Sequence, residues 1–82
     1  MLLVDVEVPA LSRTYHFNLN ETVSVEILIA EMTAAIEQKE QCKLMGLRQN
    51  LMLCAKESRR VLFKDRSLNK QGIRNADSLI LI

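Results

Sequence analysis

The sequence predicts an α+β roll, a mixed sheet of four to five strands packed on one helix. Three observations carry that expectation: two alternating apolar runs close together at the start, a helical apolar stripe in the middle, and an alternating aliphatic run at the end. In the first run Leu2, Val4, Val6 and Val8 share one face, while Leu3, Asp5 and Glu7 share the other. A period of two is the pattern of a half-buried strand. Pro9 has no N–H to give a ladder and ends it. Ala10-Leu11-Ser12-Arg13 is short enough for a hairpin connection. A second alternation then sets Tyr15, Phe17 and Leu19 against Thr14, His16 and Asn18, so the two runs predict an antiparallel hairpin.

After the polar Asn20-Glu21-Thr22 the period changes. Val25, Leu28, Ile29, Met32 and Ile36 recur at steps of three and four, one face of an amphipathic helix. Ser24 is the expected N-cap, and Glu26 suits the positive end of the helix dipole. Ile27 falls off the stripe. The helix is expected to fray through Glu37-Gln38-Lys39-Glu40-Gln41, with a loop containing Gly46 to follow. Leu51-Met52-Leu53-Cys54 reads as a third strand, Lys56-Glu57-Ser58-Arg59-Arg60 as a turn and Val61-Leu62-Phe63 as a short fourth strand. Residues 65–72 read as a loop with one helical turn. In it Leu68 points inward, and Gly72 is free to take positive φ. Ile73 is an expected buried plug, and Asp77-Ser78-Leu79-Ile80-Leu81-Ile82 forms the last strand. A hairpin cannot bury its apolar face alone, so the helix must cover it. A right-handed crossover places the last strand parallel to the first, in the middle of the sheet.

Length and composition narrow the function. Eighty-two residues predict one domain, residues 1–82. Apolar residues make up 49%, enough for a core, and aromatics only 4%, so that core is aliphatic. Eleven basic side chains against ten acidic leave a formal net charge of +1. That balance gives no electrostatic case for nucleic acid or for a polybasic membrane anchor. Met1-Leu2-Leu3-Val4 lacks the basic flank and long apolar stretch of a secretion signal. No apolar run nears the roughly 18 residues of a membrane span. Two cysteines, Cys42 and Cys54, without a leader predict a reduced, cytoplasmic protein.

The residues offer little to an enzyme. A catalytic centre needs convergent polar groups, and His16 is the one histidine, expected to sit exposed on its strand. Cys42 and Cys54 are not at metal-ligand spacing. Cys54 has cations near it in sequence, but an ordinary half-exposed strand cysteine is the expectation. Gly46 and Gly72 make no phosphate loop. The sequence therefore predicts a non-enzymatic protein with no cofactor and no metal. The basic stretch from Lys56 to Lys64 reads as a solvated turn.

The element order and spacing resemble ubiquitin and its β-grasp fold along the whole chain. The likeness is sharpest from Ser67-Leu68-Asn69-Lys70-Gln71-Gly72-Ile73 into Arg74-Asn75-Ala76-Asp77-Ser78-Leu79-Ile80-Leu81. A closer likeness is to the bacterial YukD/EsaB-type ubiquitin-like proteins of type VII (ESX-like) secretion systems. It lies in the opening Leu3-Val4-Asp5-Val6-Glu7-Val8, in Tyr15-His16-Phe17-Asn18-Leu19 and in the ending from Gly72 to Ile82. The resemblance implies a non-enzymatic, cytoplasmic accessory or regulatory component. A covalent modifier or sulfur carrier activated at its C-terminus is the alternative within the fold. It is disfavoured here because a diglycine tail is lacking, the chain's glycines being Gly46 and Gly72.

Apolar residues on the far side of the sheet carry the functional expectation. With Leu51 and Leu53 facing the helix, Met52 and Cys54 face out. With Leu79 and Leu81 facing in, Ile80 and Ile82 face out, and Leu3 is expected to join them. A merely wet face would alternate to polar residues there. A patch of Leu3, Met52, Cys54, Ile80 and Ile82 predicts a protein-binding surface. The resemblance agrees, since Met52 and Ile80 to Ile82 fall in or beside ubiquitin's main recognition surface by motif position. The expected partner is a protein, such as a type VII secretion membrane component or regulator. A self-associating module, with the apolar face paired to a second copy, is a further alternative.

Overall fold

A computed structural model describes residues 1–42 and 51–82. The strands are β1 (Leu2–Val8), β2 (Arg13–Leu19), β3 (Leu53–Ala55), β4 (Arg60–Val61) and β5 (Ser78–Leu81), and the helix is α1 (Val25–Glu40). They form one five-stranded sheet in the order β2-β1-β5-β3-β4. β1 and β5 run parallel, with Val6 opposite Leu79, and every other pairing is antiparallel. The first and last strands thus lie side by side in the middle, as the crossover argument requires. The loop expected around Gly46 lies outside the described residues.

One core joins the helix to one side of the sheet. Val4, Val6 and Val8 of β1, Tyr15 and Leu19 of β2, Leu53 of β3, and Leu79 and Leu81 of β5 are buried against Val25, Leu28, Ile29, Met32 and Ile36 of α1. Leu51, Leu62, Leu68 and Ile73 close its ends. Burying each of the larger aliphatics stabilises the fold by roughly 1.5–3 kcal/mol. Thr33 is buried on the helix with its hydroxyl donating to the Ile29 carbonyl at 2.7 Å. Ile27 is exposed.

Local chemistry departs from the sequence reading in three places. Ser24 precedes the helix but makes no side-chain cap. The Val25 and Glu26 N–H groups instead donate to the Arg66 and Lys64 carbonyls at 2.9 and 3.0 Å. A packed loop supplies what a hydroxyl would otherwise supply to the orphan donors of the first turn. The helix also continues through the polar run to Glu40, ending where Gln41 turns left-handed at φ 50°. Glu, Gln and Lys are good helix formers, Ile36 anchors the preceding turn in the core, and Lys39 suits the negative end of the dipole. Finally, β3 and β4 lie off their expected spans, residues 51–54 and 61–63. Met52 still exchanges backbone hydrogen bonds with Ile82, so its pairing continues one residue beyond the regular ladder.

The side chain of Gln71 holds the chain just beyond β4. Its Oε1 accepts from the Phe63 N–H at 2.7 Å, and its Nε2 lies within donating distance of the carbonyls of Phe63, Arg66 and Ser67 at 3.0, 3.2 and 3.4 Å. Leu62 donates to the Leu53 carbonyl and so faces β3, while Phe63, next along, directs its backbone groups off the outer edge, where Gln71 takes them up. The clamp is buried, and it draws residues 63–67 into the curve that brings Lys64 and Arg66 onto the helix start. Gly72, at φ 78°, turns the chain out of the 3-10 turn Asn69–Gln71 as the sequence predicts. Gln71→Ala should cost about 2–3 kcal/mol, because it leaves buried backbone groups without partners. Lys70→Ala, on an exposed neighbour, should stay within about 0.5 kcal/mol. Urea unfolding of the two variants checks both values.

Candidate functional site

Residues opposite one another across a sheet share a face, so the register lays out the side away from the helix row by row. One row runs Asn18 and Leu3, the next His16, Asp5 and Ser78, and the next Thr14, Glu7, Ile80, Cys54 and Val61. Beyond them lie Met52 and Ile82, joined through their backbones. The face is therefore divided. The β2 and β1 half is polar: the His16 Nδ1 meets the Asp5 carboxylate at 2.5 Å, and the Lys56 ammonium reaches Glu7 at 3.4 Å. The β5, β3 and β4 half is an apolar strip.

The five residues expected to form the patch are not all brought together. Met52 is 39% exposed, Ile82 48%, and Ile80 is half-buried between them and the polar half. Leu3 is exposed but stands apart. Glu7, the partner of Ile80, lies four positions further on, about 13 Å along a strand. Asp5 and Ser78 lie in that gap. Alternation assigned Leu3 to the right face but could not say how far along that face it sits. Cys54 corrects the expectation of a half-exposed cysteine: it is buried, 9% accessible. Its small side chain lies between the β-branched Ile80 and Val61 on the adjacent strands and forms the floor of the strip.

Val61 takes a place that the sequence reading did not give it. It is 50% exposed and lies directly opposite Cys54. Phe63, just past β4, is exposed as well, with the Arg66 guanidinium 4.9 Å from its ring centre. The signal was present in Val61-Leu62-Phe63, where only the middle residue is buried. A three-residue alternation with its two ends outward marks an apolar edge. The sequence from Lys56 to Arg66 is basic, with Lys56, Arg59, Arg60, Lys64 and Arg66 against Glu57 and Asp65, but Arg60 lies opposite Ala55 on the helix side. The Arg60 guanidinium donates to the Gln71 carbonyl.

Elsewhere, a groove of about 220 Å³ is lined by Ala55, Glu57, Ser58, Arg60, Gly72, Ile73, Asp77 and Ser78. Among the described residues no cluster of three His, Cys, Asp or Glu side chains could hold a metal. No helix among them is long and apolar enough to cross a membrane. What the outer face can do chemically is exclude water against another apolar surface.

No protein-family model matches the sequence, and no curated protein matches it. Solved structures do. The ubiquitin-like domain of EccD5 from Mycobacterium xenopi superposes with a TM-score of 0.74 at 16% identity, over 99% of this chain and 91% of that one. The ubiquitin-like domain of an Arabidopsis thaliana protein gives 0.68 at 22% identity, over 99% of this chain and 74% of that one. ATBAG1, solved in complex with HSP70, gives 0.72 at 17% identity, over 100% of this chain and 40% of that one. Likeness at such identities carries the fold and not the role. The fold is the ubiquitin-like β-grasp.

The different burial of the two thiols has a direct readout. In the native protein a disulfide reagent such as dithionitrobenzoate should label Cys42, which is partly exposed, at once. The buried Cys54 should react only at the rate of local or global opening. Stopped-flow absorbance with and without urea separates the two phases.

Proposed function

We propose that this chain is a non-enzymatic, cytoplasmic protein-interaction module of the YukD/EsaB type, an accessory or regulatory component of a bacterial type VII secretion system. The observation that carries the interaction reading is the strip of Met52, Ile80, Ile82 and Val61, floored by Cys54. Four aliphatic side chains side by side on the open face of a small sheet are what a partner's apolar surface covers. The division of the face supports this reading. Propensity alone would put aliphatics on outward positions of any strand, whereas β1 and β2 carry Asp5, Glu7, Thr14, His16 and Asn18 there.

The secretion context rests on the resemblance of the opening, second and closing strands to that family. The likeness to the ubiquitin-like domain of EccD5 supports it. The partner would meet an apolar centre of Met52, Ile80 and Ile82, with the Arg66 guanidinium over Phe63 at its rim. Burial at the centre supplies affinity, while the rim steers the approach.

Met52→Asp and Ile80→Asp place a carboxylate in the middle of that contact without touching the helix-side core. Each should weaken binding by about 2 kcal/mol or more, roughly 30-fold. The measurement is calorimetry against the purified cytoplasmic part of the FtsK/SpoIIIE-type ATPase encoded with the system, with circular dichroism to show that both variants fold. Normal binding by both folded variants would remove the strip from the account. Failure of the wild type to bind the ATPase or any other purified component of the apparatus would remove the secretion context.

A further inference from the structure

The groove of about 220 Å³ beside β3 is built where three turns meet. The turn from β3 to β4 supplies Glu57 and Ser58, the exit from the 3-10 turn Asn69–Gln71 supplies Gly72 and Ile73, and the approach to β5 supplies Asp77. Ala55 and Ile73 are buried and give it an apolar floor. A β-carbon at Gly72 would meet no atom within 4 Å, so the backbone there is bare. Ala76, just before Asp77, is held left-handed at φ 72° with its N–H donating to the Leu3 carbonyl. An alanine in that conformation is strained, and such strain collects where a chain presents a functional group. The group presented next is the Asp77 carboxylate.

The charges on the groove do not balance. β3 and β5 pair with Ala55 opposite Leu79, and the Lys56 N–H donates to the Ser78 carbonyl at 3.0 Å. The next residues along the two chains are Glu57 and Asp77, both on the groove. Like charges placed across from one another repel. Neither carboxylate forms an ion pair among the described residues. Lys56 is turned to the other face, where it meets Glu7 at 3.4 Å. Asp77 accepts only from a backbone donor, the Arg74 N–H at 2.8 Å. Arg60 also lines the groove, but its guanidinium is spent on the Gln71 carbonyl. Two carboxylates against one guanidinium leave one negative charge in excess.

We propose that this groove takes one arginine side chain of another protein, its stem on Ala55 and Ile73 and its guanidinium between Glu57 and Asp77. A single cation cancels the excess charge and relieves the repulsion of the two carboxylates. The planar guanidinium fork can donate to two carboxylates at once, whereas a lysine ammonium is a compact point charge. An aliphatic stem lies along apolar surface while its charged head stays among polar groups, which is the order of floor and rim here. Ser58 and Ser78 add hydroxyl oxygens to the rim. The groove shares no residue with the strip of Met52, Ile80 and Ile82, so the two sites stand or fall separately.

The test titrates isotopically labelled protein with arginine blocked as its N-acetyl, N-methylamide derivative. The expected result is saturable chemical-shift change at the Ser58, Gly72 and Ser78 amides at millimolar concentration. Blocked lysine should bind more weakly, and blocked norleucine, which has a stem and no charge, should not bind. Glu57→Gln and Asp77→Asn should each weaken blocked arginine by about tenfold or more. Asparagine keeps an acceptor for the Arg74 N–H and Glu57 is exposed, so both variants should keep the native spectrum away from the groove. The proposal is overturned if blocked arginine does not bind, if the shifts centre on Asp5 and Glu7 or on Met52 and Ile82, or if norleucine or both variants bind equally well. Tighter binding of free arginine would overturn it in favour of a small-molecule site. Shifts of the same amides on concentrating the protein alone would overturn it in favour of a second copy.

Discussion

The parallel pairing of the first strand with the last is the constraint on which the rest of the molecule depends. Val6 opposite Leu79 brings the two most distant pieces of sequence into the centre of the sheet, and every other position on the sheet is counted from there. β2 is carried outward as one edge, and β3 with β4 as the other. Closing the first strand onto the last across so much chain is entropically unfavourable. The aliphatics that meet under α1, Val4 to Val8 on one strand and Leu79 and Leu81 on the other, supply the compensating burial.

The same pairing gives the open face its division. Because Glu7 and not Leu3 lies opposite Ile80, the charged positions of β1 border the apolar positions of β5 along a line. Polar pairs hold one side, Asp5 with His16 and Glu7 with Lys56. Pairs of this exposure add little stability, and their effect is to keep that side wet. On the other side Ile80, Cys54 and Val61 follow one another across β5, β3 and β4. The Gln71 clamp extends the contrast. By taking both backbone groups of Phe63 it fixes the chain just past β4, where that ring is exposed at the rim of the strip.

Much of this was legible in the sequence, because period and spacing report local geometry. The alternations of β1 and β2, the stripe of α1, the buried Leu68 and Ile73, and the left-handed Gly72 all follow from side-chain pattern and steric rules. The outward positions of Met52, Ile80 and Ile82 followed too. What escaped depends on contacts between segments far apart in the chain. Ser24 looked like a cap because its type is right, but the carbonyls of residues 64 and 66 reached the helix first. Cys54 looked half-exposed because its strand alternates, but Val61 and Ile80 close over it from both sides. Leu3 was placed on the correct face and at the wrong distance, since the offset of β1 against β5 is set by pairing and not by pattern. Gln71 carried no signal, because a polar residue in a polar loop looks solvated until its four backbone partners are in place.

The central claim is that β3 and β5 alternate between a sealed core and a strip left open to water. Solvent relaxation enhancement of methyl resonances by a soluble gadolinium chelate measures that alternation residue by residue. The account predicts strong broadening at the methyls of Met52, Val61 and Ile82 and little at Leu53, Leu79 and Leu81. Protection of Met52, Val61 and Ile82 to the level of the leucines, in dilute monomeric protein, would contradict it.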